Sequence, residues 1–240
     1  MKTVVVTGAN KGIGFEVAKQ MAELGYFVYL GSRNEQKGLE AIRNLKKLNI
    51  SNVELLQIDV SDLDSVKEAI SKLSTKIDAL DILINNAGIA GGQPQNISAC
   101  ETSVLKEIFN TNYFGAIQTT QLMLPLLEKA TQPVIVNVSS ELGSLAMQTS
   151  EGRNPNWDNF PVYGSTKTAL NTFTIHLAHE FRNTKFRINS VTPGFTATDL
   201  NGFTGLKTAA QGAKPIVRVA TIGPNGPSGK FFKEEGEVPW

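Results

Sequence analysis

The sequence predicts an α/β protein built on one doubly wound, mostly parallel sheet, and three observations carry that expectation. Short, almost wholly apolar and β-branched runs alternate with longer stretches of helical period along most of the chain. A glycine-rich turn, TGANKGIG, leaves the first apolar run and leads directly into a helical pattern. No linker, internal repeat or low-complexity stretch interrupts the alternation, so residues 1–240 read as a single domain.

The elements follow in order. TVVVT (3–7) is the first strand, and the helix over 12–24 stops at Gly25, where a left-handed residue suits a C-terminus. YFVYLG (26–31) and VELLQI (53–58) are strands separated by a helix over 35–48; Ser61 and Asp62 then stand where a cap is wanted for a helix over 62–75. DILIN (81–85) is followed by a helical stretch over 101–130 with a break, and PVIVNV (133–138) by a helix over 162–182. FRINSV (186–191) is the sixth strand. Beyond it the pattern weakens into glycine- and proline-rich loops around one helix near 206–220. Strands this uniformly apolar are covered on both faces, as parallel ones are.

Composition excludes several function classes. With 23 basic and 22 acidic residues the net charge is +1, which gives no broad field to hold nucleic acid or an anionic membrane. Three valines near the start are too few for a secretory signal or a membrane span, and the lone Cys100 cannot form an intrachain disulfide. A cytoplasmic protein is expected, and the N-x-[ST] matches at Asn49, Asn96 and Asn137 are then chance. His176, His179 and Glu180 lack the H-E-x-x-H order and a third ligand, so no metal is expected.

Gly8, Gly12 and Gly14 lie at the carboxyl end of the first strand, where open parallel sheets bind ligands. Glycines there let backbone amides and a positive helix end approach an anion, with a pyrophosphate as the natural occupant, although a tight strand-to-helix turn needs glycine in any case. The second strand ends GSRN, without a carboxylate before Glu35. Arg33 and Lys11 can approach a 2′-phosphate from two sides, which favours NADP(H) over NAD.

YGSTK (163–167) places a phenol and an ammonium one helical turn apart, able to face one site. A neighbouring ammonium is expected to lower the phenol pKa toward the working range and make the pair a proton donor or acceptor for a carbonyl or alcohol. The pair alone arises by chance roughly 0.3 times in such a composition, so context decides. NVSS (137–140) supplies hydroxyls at the same strand edge.

Taken in order, TGANKGIG, Asp59-Val60, NNAG (85–88), Asn112 in NYFG, NVSS, YGSTK and TPGFTAT closely resemble the successive motifs of the short-chain dehydrogenase/reductase family, nearest to its carbonyl-reductase-like members. The resemblance covers nearly the whole chain and loosens after about residue 200. It implies a Rossmann-type sheet, with Tyr163 as general acid/base, Lys167 lowering its pKa and binding the nicotinamide ribose, Ser140 holding the carbonyl oxygen, and Asn112 kinking its helix to position a relay water. For the cofactor it implies the turn residues Gly8, Asn10, Lys11, Gly12, Ile13 and Gly14, then Arg33, Asp59 and Val60 at the adenosine, and Asn86, Ala87 and Gly88 of NNAG. Pro193, Gly194, Thr196 and Thr198 would border the nicotinamide, which Tyr163 and Lys167 also touch.

One departure is the separation of Ser140 and Tyr163 by 23 residues, about twice the family's common spacing. The insertion, about 145–161, should lie beside the substrate opening, with Met147, Trp157 and Phe160 able to wall an apolar pocket together with Phe195 of a substrate loop over about 195–220. The expected activity is NADPH-dependent reduction of ketones or aldehydes. An NAD-linked secondary alcohol dehydrogenase and a non-catalytic NADP-sensing binding protein stay open as alternatives, as does the choice between monomer and homo-oligomer.

Overall fold

Apolar side chains at both parities of each strand require cover on both sides of the sheet, and the computed structural model of residues 1–240 supplies it. The strands are β1 (Thr3–Val6), β2 (Phe27–Ser32), β3 (Val53–Gln57), β4 (Ile82–Asn85), β5 (Val134–Val138), β6 (Arg187–Val191), β7 (Phe231–Lys233) and β8 (Gly236–Glu237). They lie in the order β3-β2-β1-β4-β5-β6-β7-β8, parallel throughout except for the antiparallel pairing of β8 with β7. The expected α/β, doubly wound, mostly parallel sheet is thus the fold observed.

The helices are α1 (Gly12–Glu23), α2 (Glu35–Lys47), α3 (Leu63–Ser74), α4 (Thr102–Phe109), α5 (Gly115–Leu127), α6 (Leu145–Gln148), α7 (Pro161–Glu180) and α8 (Ala209–Ala220). Val4, Val6, Val28, Leu30, Ile82 and Ile84 pack under α1, α2 and α8, while Val5, Tyr29, Leu83, Ile135 and Ile188 pack under α3, α5 and α7. Successive residues of one strand therefore feed opposite cores, which is why the strands lack a polar alternation.

Local sequence explains most boundaries. Asn34 Oδ1 accepts from Lys37 N at 2.9 Å at the start of α2, and Asp62 Oδ1 accepts from Asp64 N at 2.9 Å at the start of α3. Gly25 ends α1 with φ +87°. The break foreseen within 101–130 is a π-helical turn over Asn110–Phe114, closed by Gly115 N–H reaching back to the Asn110 carbonyl. The strands β7 and β8 have no counterpart in the sequence reading: three and two residues are too short to show a period. Tertiary packing makes them, since Phe231 is 1% exposed and stacks on Trp240 with ring centres 5.6 Å apart.

At the carboxyl ends of β4, β5 and β6 a polar row crosses the interior. Asn85 and Asn137 pair in register, and Asn137 pairs with Ser190. Asn85 Nδ2 donates to Asn137 Oδ1 at 2.8 Å and to Thr120 Oγ1 at 2.9 Å; Asn137 Nδ2 donates to Thr174 Oγ1 at 2.8 Å. These bonds tie α5 and α7 to the middle of the sheet at the site edge. Asn137 is 0% exposed, which removes it as a glycosylation acceptor.

No helix is long and apolar enough to cross a membrane.

Candidate active site

Parallel strands deliver their carboxyl ends to one edge, and chain order reverses between β1 and β4, which opens a crevice there. The turn after β1 holds Gly8 at φ +62° and Gly12 at φ +60°. A Cβ on Gly8 would lie 2.8 Å from Ala87 Cα, and one on Gly14 would lie 2.4 Å from Asn86 Nδ2 and 2.5 Å from the Gly8 carbonyl. Asn86 Nδ2 donates to the Thr7 and Gly8 carbonyls at 2.9 and 3.1 Å. Two of the three glycines are therefore required by the docking of NNAG against the turn, a role the spacing alone did not reveal.

The turn nevertheless suits an anionic ligand. Unlike α2 and α3, α1 has no side-chain cap, and its first turn carries no acidic residue. Its leading amides and positive end face the crevice unneutralised, with the partly buried Asn10 and Ile13 beside them. Arg33, at the end of β2, is exposed and forms no ion pair. Lys11 is paired with Asp199 at 3.1 Å, which corrects the expectation that no acid stands near the two cations. Asp199 is brought from 188 residues away by the loop after β6, and sequence proximity could not show it.

The side chains expected around the adenosine are partly engaged within the protein. Asp59 Oδ1 accepts from Ser61 N at 3.0 Å and from Ser61 Oγ at 2.6 Å, and Val60, 6% exposed, packs under Gly115, the first residue of α5. At the far end of the crevice, Gly194 adopts φ +73° after Pro193, and the buried Thr196 hydroxyl bonds to the Pro193 and Gly194 carbonyls. The Thr198 methyl lies 3.6 Å from the Cβ position of Gly12.

Between these ends the chain gathers Ser140, Tyr163, Lys167 and Asn112. Tyr163 is the third residue of α7, and its main-chain N–H donates to Gln95 Oε1 at 3.2 Å. Lys167, one turn on and 4% exposed, donates from Nζ to the Val138 carbonyl at 2.8 Å and lies 5.6 Å from the centre of the Tyr163 ring. The Ser140 hydroxyl lies against the phenol and accepts from Leu142 N at 3.3 Å. Asn112, 1% exposed in the π turn, accepts from Ile89 N at 2.8 Å and donates to Ile89 O at 2.9 Å and Thr166 Oγ1 at 3.1 Å. A Cβ on Gly88 would stand 3.5 Å from Lys167 Nζ and 3.3 Å from Asn112 Oδ1. Gly88 thus lies in contact with both the ammonium and the Asn112 amide.

Burial controls the ionisation of both groups. It pushes the Tyr163 phenol up to about 12, opposed by the Ser140 hydrogen bond, and lowers Lys167 to about 8. The expectation that the ammonium brings the phenol down is thereby corrected. The ammonium gives its hydrogen bond to the Val138 carbonyl, and the loss of water around the phenol is the larger of the two influences on it, the Ser140 hydroxyl being the other.

Gln95 was missed by the sequence reading, which assigns no element or role to residues 89–99. It is 1% exposed and also donates to Ala90 O at 2.6 Å and Gly92 O at 3.3 Å, so it ties the loop after NNAG to the start of α7. The insertion is tied to the loop that carries Gln95 and to the last residues of the chain. Gln93 Nε2 donates to Asn159 O at 2.9 Å, Ser144 Oγ donates to Pro239 O at 2.6 Å, and Ala146 N donates to Trp240 O at 3.0 Å. Met147 on α6, Trp157 in a short 3₁₀ turn (Pro155–Asn159) and Phe160 at the head of α7 are half-buried, while Phe195 is 47% exposed. A concavity of about 630 Å³ on the outside of α4, lined by Leu105, Phe109 and Phe114, contains none of these groups.

Comparison with known proteins yields a consistent picture. The family model described as short chain dehydrogenase matches residues 2–208. The chain is 34% identical to (+)-neomenthol dehydrogenase of Capsicum annuum over 297 aligned positions, covering 95% of this chain and 94% of that one. Among solved structures, salutaridine reductase from Papaver somniferum superposes with a TM-score of 0.84 at 30% identity, covering 98% of this chain and all of that one. NADPH-bound carbonyl reductase from chicken fatty liver gives 0.86 at 25% identity, covering 100% of this chain and 99% of that one.

Proposed function

This chain belongs to the short-chain dehydrogenase family of oxidoreductases, and on that premise we propose that it reduces ketones or aldehydes to alcohols with NADPH. The observation that carries the reading is the convergence of the Tyr163 phenol, the Ser140 hydroxyl and the Lys167 ammonium at the carboxyl edge of the sheet, beside an uncapped helix start. The nicotinamide cofactor supplies the hydride when bound. The uncapped amides of α1 would receive its pyrophosphate, Lys167 would hold its ribose, and Arg33 with Lys11 would receive the 2′-phosphate.

The remaining chemistry belongs to the protein. Ser140 donates a hydrogen bond to the substrate carbonyl oxygen, and Tyr163 delivers its phenolic proton to that oxygen as negative charge develops. A pKa near 12 does not hinder this direction, because the phenol is still more acidic than the alcohol it forms and is fully protonated at neutral pH. Lys167 offsets the charge left on the phenolate. Asn112 fixes Ile89 and, through Thr166, whose hydroxyl donates to the Tyr163 carbonyl at 2.7 Å, steadies the turn that carries the phenol.

The NADPH choice is supported by the exposed Arg33, by the absence of a carboxylate at the end of β2, and by the NADPH-bound state of the chicken carbonyl reductase structure. Half-buried Met147, Trp157 and Phe160, with Phe195, support medium-sized apolar substrates. The test is loss of absorbance at 340 nm with NADPH or NADH and a panel of aromatic and alicyclic ketones, aldehydes, diketones and quinones. Oxidation of NADPH but not NADH by one carbonyl is the expected result. Binding of NADPH without turnover of any carbonyl would favour a cofactor-sensing protein.

A further inference from the structure

The ion pair between Lys11 Nζ and Asp199 Oδ2, at 3.1 Å, joins the glycine turn to the loop after β6. The carboxylate is presented on a braced segment. Asn201 Nδ2 donates to Thr196 O at 2.9 Å, Thr198 N donates to Asn201 Oδ1 at 3.2 Å, and Ala197 N donates to Lys207 O at 2.8 Å. Thr198, the neighbour of Asp199, packs its methyl toward Gly12, so the acid sits above the turn by virtue of the backbone and not by chance rotation of one side chain. The paired side chains keep 60% and 50% of their exposure, so each can exchange partner through solvent.

We propose that Asp199 is a selectivity-determining residue that competes with the cofactor 2′-phosphate for Lys11 and so limits the preference for NADPH over NADH. This rests on the reading that Lys11 and Arg33 receive that phosphate. A phosphate dianion approaching Lys11 meets an ammonium already neutralised by a carboxylate, and it must either displace that carboxylate or bind beside its negative charge. A cofactor without the 2′-phosphate leaves the pair intact. Asp199→Asn frees the ammonium and removes the repulsion, while the amide keeps the size of the side chain.

The experiment is calorimetric titration of the full-length chain with NADPH and with NADH at low ionic strength, for wild type, Asp199→Asn, Asp199→Ser, Lys11→Ala and the Lys11→Ala/Asp199→Asn double variant. Both Asp199 variants should bind NADPH about three- to tenfold more tightly and NADH within about twofold of wild type, with the gain shrinking as salt is added. In the Lys11→Ala background the gain should fall to about twofold or less. A tightening is a result that structural damage does not mimic. No gain, an equal gain for both cofactors, or a full gain without Lys11 overturns the proposal. A double variant that binds NADPH as tightly as Asp199→Asn alone overturns the underlying reading, because Lys11 then holds no phosphate even when freed.

Discussion

The Lys167 ammonium lies 5.6 Å from the centre of the Tyr163 ring and gives one hydrogen bond, at 2.8 Å, to the main-chain carbonyl of Val138. The strand that leads to Ser140 thus also anchors the lysine on α7. Tyr163→Phe removes the proton donor without disturbing that anchor. Reduction should fall by about a hundredfold or more, with NADPH binding within about twofold of wild type. Retention of most of the turnover would take Tyr163 out of the reaction.

The ionisation states predict a direction-dependent pH response. With the phenol near 12, the protonated form needed for reduction persists through the neutral range, and the rate of reduction stays flat until Lys167 loses its proton near pH 8. Alcohol oxidation needs the phenolate, so its rate should rise about tenfold per pH unit from about pH 6 to 8. Steady-state kcat/KM measured in both directions checks this. A plateau in oxidation below about pH 8 would mean that bound cofactor brings the phenol down.

Arg33 stands exposed at the end of β2 without an ionic partner, so its removal costs the fold little. Arg33→Ala should raise the KM for NADPH about tenfold and leave that for NADH within about twofold. Equal effects on both cofactors would deny Arg33 a contact with the 2′-phosphate.

Gln95 supplies the acceptor for the Tyr163 amide at the start of α7. Gln95→Leu leaves that N–H unpaired and should reduce kcat about tenfold with little change in the Kd for NADPH, whereas Gln95→Glu, which keeps an acceptor, should recover part of the loss. Loss of cofactor binding in parallel with kcat would point to general loosening of the fold.

Gly14 has no space for a methyl group, since its Cβ position lies 2.4 Å from Asn86 Nδ2 and 2.5 Å from the Gly8 carbonyl. Gly14→Ala should destabilise the protein by about 1–3 kcal/mol, which lowers Tm by several degrees. Gly152, with nothing within 4 Å of its Cβ position, is the control, and Gly152→Ala should shift Tm by about a degree or less.

Six strands and the long helices were legible because each is a local property. TVVVT, DILIN and PVIVNV are apolar at both parities because both faces are buried, and Asp62 caps α3 through atoms two and three residues away. The site motifs were equally legible in order, since Tyr163 and Lys167 share a helix face whatever surrounds them. What escaped is what depends on distant partners. β7 is three residues held by β6 and Trp240, Gln95 is a loop residue until α7 meets it, and Asp199 is an ordinary surface acid until its loop folds over the glycine turn.

By itself the sequence determined the doubly wound sheet and the order in which candidate groups reach its carboxyl edge, because hydrophobic period and strand-to-helix turns are written over a few consecutive residues. Only the tertiary structure decided the state of those groups. Burial, which no short segment encodes, raises the Tyr163 phenol and lowers the Lys167 ammonium, and the packing of NNAG claims Gly8 and Gly14. Charge and space at the site are collective quantities, set by every element that excludes water from it.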